Sequence, residues 1–264
     1  MSAGSAGGSP RSTRLLHWPT PTITGAGGSG ATGPVYTARI DILLLCTANQ
    51  CRSAMAEGLL RPLLAQYGAR ADIGSAGLMP GGAPATPDAV AVMADRGIDI
   101  SGHVSRTIEP GLVRSTPLVI GMTRRHVREA VVSHGADIER TFTLKELVRR
   151  GDEVGPRRPD ETVFDWLARV GARRRTAELM GDDHDDDIAD PVGRPRADYE
   201  ETADELEALL GRLARLLVGG PSRSPAYADA PSRPARARRA RSRSRPAPSP
   251  PAPSPPAASR TAGR

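Results

Sequence analysis

A strongly apolar segment that runs directly into a cysteine-containing loop is the feature that most restricts the fold of this chain. Residues 39–45 contain Ile-Asp-Ile-Leu-Leu-Leu, and an apolar run of this length is typical of a strand covered on both faces. After the loop at residues 46–53, apolar side chains recur at every fourth position and predict an amphipathic helix: Met55, Leu59, Leu63 and Tyr67. A strand, a tight loop and a helix in succession indicate a parallel sheet covered by helices.

Strand-like and helix-like segments continue to alternate along the chain. Further short strands are predicted at residues 71–74, 118–121 and 187–190. Further helices are predicted near residues 87–97, 123–133, 163–170 and 199–217, of which 163–170 is interpreted as an insertion beside the sheet. This alternation predicts an α/β fold, a three-layer sandwich in which a four-stranded parallel sheet is flanked by helices.

The two ends of the chain differ in composition from its middle. Residues 1–37 are rich in Gly, Ser, Thr and Pro, whereas residues 221–264 contain ten Arg, eleven Pro and a single acid, Asp229. Segments of this kind bury too little apolar surface to offset the entropy lost on ordering, so both are expected to be disordered. The remaining residues, 38–220, have the size of one catalytic domain.

The net charge of +6 is unevenly distributed along the chain. Subtracting +9 for residues 221–264 and +2 for residues 1–37 leaves −5 on residues 38–220. The domain therefore lacks the excess of basic residues that is typical of nucleic-acid-binding domains. Weak contact of the basic tail with nucleic acid or an acidic surface is one interpretation, and a solvated tail without a dedicated partner is the other.

Neither a membrane span nor a secretion signal is predicted. No stretch approaches the ~20 apolar residues that a membrane helix needs, and the apolar run near residue 15 is too short for a signal peptide. The two cysteines, Cys46 and Cys51, are too few for a disulfide framework, and a reducing compartment suits a reactive thiol. We therefore expect a cytoplasmic protein, and a monomer.

The loop at residues 46–53 has the sequence Cys-Thr-Ala-Asn-Gln-Cys-Arg-Ser. A helix start leaves backbone N–H groups without partners and its dipole favours an anion, so a loop at this place can bind a tetrahedral phosphate. Such surroundings favour the thiolate form of a cysteine, and Cys46 is therefore the predicted nucleophile. The guanidinium of Arg52 can bind two phosphate oxygens at once, and the hydroxyl of Ser53 can donate to the thiolate.

Attack of a thiolate on phosphorus also requires a general acid that protonates the leaving group. Asp190, which is followed by Pro191, is the candidate for this role. Five other aspartates precede it in a run that includes His184, and such a run raises the alternative of a metal site: Asp182, Asp183, Asp185, Asp186 and Asp187. A dense run of like charges is more typical of a solvated loop, and it lacks the ligand spacing of a structural zinc site, so neither a metal nor another cofactor is expected.

These motifs resemble the low-molecular-weight protein tyrosine phosphatase family over residues 39–218. The matching segments are Cys46-x5-Arg52-Ser53, Met55-Ala56-Glu57, Ser75-Ala76-Gly77, Asp99-Ile100-Ser101 with His103 and Ser105-Arg106, and Asp190-Pro191. The resemblance implies a four-stranded parallel sheet, no metal, and a phosphorylated protein as substrate. It also implies that Cys46, Arg52 and Asp190 are nucleophile, phosphate clamp and general acid, and that Asn49 orders the loop. The expected phosphate-binding residues are Thr47, Ala48, Asn49, Gln50, Cys51, Arg52 and Ser53.

The substrate is less constrained than the reaction. In the family the Asp-Pro pair is commonly followed by tyrosines that line the cleft, whereas Val192 and Gly193 follow it here, and residues 78–87 at the expected opposite wall contain no aromatic. Gln50 stands where the tyrosine phosphatases usually carry an aliphatic residue and the related arginine phosphatases carry threonine. Phosphotyrosine in a protein is the expected substrate, and phosphoarginine is the alternative.

Two further interpretations use the same loop differently. Arsenate reductases that couple to thioredoxin resemble it but need a pair of cysteines outside the loop, which this sequence lacks, so only a reductase that uses a low-molecular-weight thiol is compatible. A non-catalytic phosphate-binding module is the other alternative. The joint presence of Cys46, Arg52 and Asp190 argues against it, because binding phosphate needs no general acid.

Cys51 is predicted to have a redox role. It lies five residues from Cys46 in one tightly curved loop, so the two thiols are expected to be close enough to form a disulfide. Peroxide converts an accessible thiolate to a sulfenic acid, which a neighbouring thiol can capture before further oxidation. The alternative is that Cys51 only packs beneath the loop.

Overall fold

The computed structural model describes residues 39–175 and 184–219, and a parallel sheet lies at its centre. Its strands are β1 (Ile40–Cys46), β2 (Ala71–Gly77), β3 (Leu118–Gly121) and β4 (Thr141–Thr143). They lie in the order β2-β1-β3-β4 and pair in parallel throughout, which confirms the predicted sheet. Because β1 is an inner strand, Cys46 lies centrally on the carboxyl edge of the sheet, where open α/β folds bind their ligands.

Helices connect the strands and cover both faces of the sheet. They are α1 (Arg52–Ala65), α2 (Pro87–Ala94), α3 (Pro110–Ser115), α4 (Arg124–Val132), α5 (Leu144–Val154), α6 (Val163–Gly171) and α7 (Arg196–Val218). Single 3₁₀ turns lie at Ile138–Arg140 and His184–Asp186. The leucine-rich stripe predicted for the last helix is buried along α7, which packs on α1 and α5.

Alternate side chains of β1 enter two hydrophobic cores on opposite faces of the sheet. Ile42 and Leu44 belong to the larger core with α1, α2, α5, α6 and α7, whereas Leu43 and Leu45 belong to the smaller core with α3 and α4. This arrangement is the three-layer sandwich that the apolar run of β1 predicted. The helix interpreted as an insertion, α6, is part of the larger core, because its Trp166 is fully buried there.

The position of the fourth strand was predicted wrongly. Residues 187–190 are not a strand, and the only ladder-like bond of that segment is the one that Ile188 N donates to Met122 O, 2.8 Å. The fourth strand is β4, whose Thr-Phe-Thr sequence pairs with β3 and buries Phe142 completely. Three β-branched or aromatic residues suit a buried strand but are too few to show an alternation in the sequence.

Among the residues that the structure describes, no helix has both the length and the apolar character needed to cross a membrane. The two predicted tails, 1–37 and 221–264, lie outside those residues, as do Asp182 and Asp183.

Candidate active site

The loop between β1 and α1 is held in one conformation by close backbone contacts. Asn49 has a φ of 54°, the left-handed region that few residues other than glycine adopt, and it reverses the chain before α1 begins at Arg52. Gly77, at the end of β2, lies against this turn, since a Cβ atom there would come within 2.8 Å of the backbone of Ala48 and Asn49. The loop therefore requires a glycine on the neighbouring strand.

The sulfur of Cys46 lies at the base of this loop and accepts two hydrogen bonds. The backbone N–H of Asn49 lies 3.2 Å from Sγ, and the hydroxyl of Ser53 lies 3.0 Å from it. Only 2% of the Cys46 residue is exposed. Both donors favour a negatively charged sulfur, because a hydrogen bond to a charged acceptor is stronger than one to a neutral acceptor.

Asn49 connects the loop to three other segments. Its Nδ2 donates to Ser53 Oγ (2.9 Å) and to Ser75 Oγ (2.8 Å), while its Oδ1 accepts from the backbone N–H of Arg106 (2.9 Å). Its backbone carbonyl accepts from His103 Nε2 at 2.6 Å. The side chain is fully buried with its polar groups satisfied, so it fixes the loop shape at little desolvation cost.

The guanidinium of Arg52 connects the loop to Asp190. Its Nη2 lies 2.5 Å from Asp190 Oδ2 and 3.3 Å from Thr47 Oγ1, and its Nη1 donates to the carbonyl of Ile188 at 3.1 Å. Nε is buried and has no hydrogen-bond partner among the described residues. An arginine that is 4% exposed with a free donor inside an anion-binding loop is suited to donate a hydrogen bond to a phosphate oxygen there.

Asp190 is distant from the loop in the sequence but contacts it in the fold. Its side chain is 44% exposed, and its Oδ1 accepts a hydrogen bond from Val192 N at 3.2 Å, which orients the carboxylate in a turn. Cys46, Arg52 and Asp190, separated by up to 144 positions, thus lie around one site. Among the described residues, no group of three side chains that could hold a metal ion occurs.

The sequence suggested that the aspartate run before Asp190 is a solvated loop, but two of its carboxylates make contacts with the rest of the fold. Asp186 is 5% exposed and ion-paired with two arginines, and Asp187 Oδ1 accepts from the backbone N–H of Arg124 at 2.9 Å. Asp185 is exposed, which fits the expectation.

Half-exposed apolar side chains occur in the two segments that contact the loop. Met79, whose backbone N–H donates to Thr47 O, is 51% exposed, and Val192, which follows the Asp190-Pro191 pair, is 53% exposed. Gln50 is half-buried, and its carbonyl accepts from Thr86 N, which attaches the loop to the start of α2.

His126 was not singled out from the sequence, although it touches the loop. Its Nε2 lies 3.1 Å from Thr47 Oγ1 and its Nδ1 lies 2.8 Å from Thr123 Oγ1. Burial lowers the pKa of His126 to about 3, and the charges of Arg52 and Arg125 act in the same direction. The sequence does contain a signal for this position. Thr123 caps α4, and His126, three residues later, is buried on the face of the helix toward the sheet.

We expect mild acid to destabilise the fold through His126. The folded state keeps this residue neutral, while the unfolded chain takes up a proton below the ordinary pKa of 6.5, so the free energy of unfolding falls as the pH falls. The loss is at most about 1.4 kcal/mol per pH unit. Urea unfolding at about pH 7 and about pH 5 measures it. His126→Gln should flatten the dependence, whereas replacing the exposed His184 should not; the same slope in all three proteins would contradict this account.

Cys51 is a free thiol that is 3% exposed. Burial raises the pKa of Cys51 far above its ordinary value, and the charge of Cys46 acts in the same direction. The group is therefore protonated at neutral pH, and of the two loop cysteines it is the one unsuited to act as the nucleophile.

Comparison with known proteins finds phosphatases that are similar to this chain. The family model for the low molecular weight phosphotyrosine protein phosphatase matches residues 41–160. A protein-arginine-phosphatase of Bacillus subtilis is 32% identical over 180 residues, which cover 67% of this chain and 97% of that protein. A probable low molecular weight protein-tyrosine-phosphatase of Ralstonia nicotianae is 37% identical over 47% of this chain and 83% of its own length.

Solved structures agree with the sequence relatives. A low molecular weight protein tyrosine phosphatase from T. tengcongensis superposes with a TM-score of 0.51 at 29% identity, covering 67% of this chain and 99% of that one. An arginine phosphatase that carries a serine in place of a cysteine, with this active-site serine phosphorylated, superposes with a TM-score of 0.51 at 30% identity, covering 67% and 94%.

Proposed function

Because this chain belongs to the low-molecular-weight phosphotyrosine protein phosphatase family, we propose that it hydrolyses phosphate from phosphorylated protein side chains, with phosphotyrosine as the principal substrate. The observation that carries the proposal is the sulfur of Cys46, which accepts two hydrogen bonds beside an arginine with an unpartnered buried donor. The cytoplasm, where thiols stay reduced, is the compartment that suits this chemistry.

The reaction proceeds in two steps. Cys46 Sγ attacks phosphorus, an S–P bond forms, and the bond from phosphorus to the leaving oxygen breaks while Asp190 gives that oxygen its proton. A water molecule then attacks the phosphocysteine, Asp190 takes up a proton from it, and inorganic phosphate and the thiolate are released. Arg52 and the loop N–H groups bind the phosphoryl oxygens in both steps, where they stabilise the charge of the transition state.

Phosphoarginine is the second candidate substrate, and a specific observation favours it. An arginine phosphatase matches nearly its entire length to this chain, and the half-exposed side chains in the two segments that contact the loop, Met79 and Val192, are aliphatic instead of aromatic. The same chemistry applies, except that a bond from phosphorus to nitrogen breaks. Arsenate reduction is less well supported, because the matched reductase is covered over 56% of its length and the chain has two cysteines in all.

The proposal is tested with a substrate panel. Wild-type protein should release phosphate from a small aryl phosphate, and the ratio of kcat/KM for a phosphotyrosine peptide to that for the matched phosphoarginine peptide identifies the substrate class. Arsenate with a low-molecular-weight thiol serves as the third arm. Absence of phosphate release from every phosphorylated substrate would overturn the proposal.

Arg52→Lys is expected to lose activity although it keeps the positive charge. An ammonium group cannot reproduce the planar two-point contact with phosphate oxygens, and the contact of Arg52 with Ile188 O would also be lost. Removal of one oriented donor from such a site typically costs roughly 10²–10³-fold in kcat. Steady-state kinetics on an aryl phosphate measures the loss. Near-normal turnover would show that Arg52 acts only as a point charge.

We also propose that Cys51 protects Cys46 from irreversible oxidation. Peroxide would oxidise Cys46 to a sulfenic acid, and attack by the Cys51 sulfur would form a disulfide and release water. Because burial raises the pKa of Cys51, this capture should become faster as the pH rises. After peroxide and then a dithiol, wild type should regain most of its activity and Cys51→Ser much less. Equal recovery would leave Cys51 as a packing residue.

A further inference from the structure

The chain segment that carries Asp190, here called the acid segment (residues 184–191), is attached to the domain by a buried carboxylate. Asp186 Oδ2 lies 2.8 Å from Arg124 Nη2 on α4, and both of its oxygens lie within 3.3 Å of Arg149 Nη2 on α5. Asp186 is 5% exposed, whereas Arg149 is half exposed. One carboxylate thus joins the acid segment to two helices.

The next two residues of the acid segment are fixed as well. Asp187 Oδ1 accepts from the backbone N–H of Arg124 at 2.9 Å, at the start of α4. Ile188 is buried, its N–H donates to Met122 O at 2.8 Å, and its carbonyl accepts from Arg52 Nη1 at 3.1 Å. Ala189 and Asp190 are exposed, whereas Pro191 is buried. Among the described residues, the Asp190 carboxylate contacts Arg52 and the N–H of Val192 in its own turn.

The proposed reaction weakens one of these two contacts. As general acid Asp190 must carry a proton, and a neutral carboxyl group attracts Arg52 far less than a carboxylate does. The Nη2 group that contacts Asp190 belongs to the same guanidinium that must bind the phosphoryl oxygens. During turnover the position of Asp190 therefore depends more strongly on the fixed residues around it in the acid segment.

We propose that Asp186, held by Arg124 and Arg149, is a positioning residue that keeps Asp190 within reach of the leaving group. This inference rests on the proposed phosphatase activity and adds to it the part of the structure that aims the general acid. Burial by itself would raise the pKa of Asp186, but its hydrogen bonds with Arg124 and Arg149 and their charges outweigh burial and hold the pKa below its ordinary value. The group is thus charged at neutral pH, as an anchor for two arginines requires.

The chain offers a matched control for this cluster. Glu146, also on α5, is 5% exposed and is shared by two arginines: its Oε1 lies 3.1 Å from Arg150 Nε and 2.9 Å from Arg174 Nε. It makes no described contact with the acid segment. Asp186→Asn and Glu146→Gln therefore remove the same charge from equivalent surroundings, and only the first loosens the acid segment.

The test compares both variants on aryl phosphates of poor and good leaving groups. For poor leaving groups, Asp186→Asn should lower kcat/KM roughly 10–100-fold, a fraction of the full contribution of a general acid, with KM little changed. This loss in kcat/KM, which reports the step in which the leaving group departs, should shrink for good leaving groups, and Glu146→Gln should lower Tm without this dependence. In an Asp190→Asn background, Asp186→Asn should have no further effect on kcat, because the two residues act as one unit.

The outcomes separate this inference from the proposed function. If the wild type is active and Asp186→Asn loses the same factor in kcat/KM with every leaving group, the positioning role is overturned. The same conclusion follows if the effect of Asp186→Asn multiplies with that of Asp190→Asn. An inactive wild type would overturn the proposed function, and the inference with it. If Asp186→Asn does not fold, Arg149→Met replaces it, since Arg149 is 52% exposed and its loss should produce a weaker form of the same leaving-group dependence.

Discussion

Replacement of Cys46 by serine is expected to abolish turnover while leaving phosphate binding intact. The hydroxyl of serine is far less acidic than a thiol, and the loop offers no general base to deprotonate it: the groups that contact Sγ, Asn49 N–H and the Ser53 hydroxyl, act as donors. Loss of a nucleophile typically lowers kcat by on the order of 10⁴-fold or more. Phosphate release from an aryl phosphate measures the loss.

Binding and stability distinguish this chemical effect from damage to the loop. Serine differs from cysteine in one buried atom, so Tm should change little, and phosphate or vanadate should still raise it, because the loop N–H groups and Arg52 are unchanged. Retention of more than a few per cent of the wild-type kcat would exclude Cys46 as the nucleophile. A variant that no longer binds phosphate would assign Cys46 to loop structure instead.

Asp190→Asn is expected to lower kcat by roughly 10²–10⁴-fold, the range of a positioned general acid. Asparagine can keep the turn hydrogen bond from Val192 N but cannot supply a proton. The loss in kcat/KM, which reports the step in which the leaving group departs, should be largest for leaving groups of high pKa and should nearly vanish for those that depart as stable anions. A leaving-group series of kcat/KM values tests this, and an equal loss across the series would remove Asp190 from the role.

The same substitution should strengthen phosphate binding. In the described structure the Asp190 carboxylate lies 2.5 Å from Arg52 Nη2 and competes with any anion for that donor. An uncharged asparagine competes less, so the inhibition constant of inorganic phosphate should fall. A matched substitution at Asp185, which is exposed in the same segment, should not change it. Unchanged inhibition in Asp190→Asn would show that the ion pair does not persist in solution.

The parts of this protein that the sequence predicted are those with a strong local pattern. The strongly apolar segment of β1, the cysteine loop and the leucine stripe of α7 are all found where they were expected. Each lies within one short stretch of sequence. The spacing of the apolar residues in such a stretch indicates whether it forms a strand or a helix with a buried face.

The missed features depend on contacts between distant residues. β4 has three residues, and it exists because β3 provides a partner for Phe142, whereas the sequence analysis placed the fourth strand at residues 187–190. The burial of Asp186 follows from Arg124, 62 positions away. In the sequence its carboxylate is one of several similar acids, and no local rule identifies which of them meets an arginine.

The most direct test of the central claim is detection of the intermediate itself. Asp190→Asn protein mixed with an aryl phosphate of a good leaving group should accumulate phosphoenzyme, because the acid that assists the leaving group is dispensable there whereas the water attack still needs it as a base. Rapid acid quenching and mass spectrometry of the loop peptide should find one phosphoryl group on Cys46 sulfur. Phosphate release without any labelled Cys46, or with the label on another side chain, would contradict the proposed mechanism.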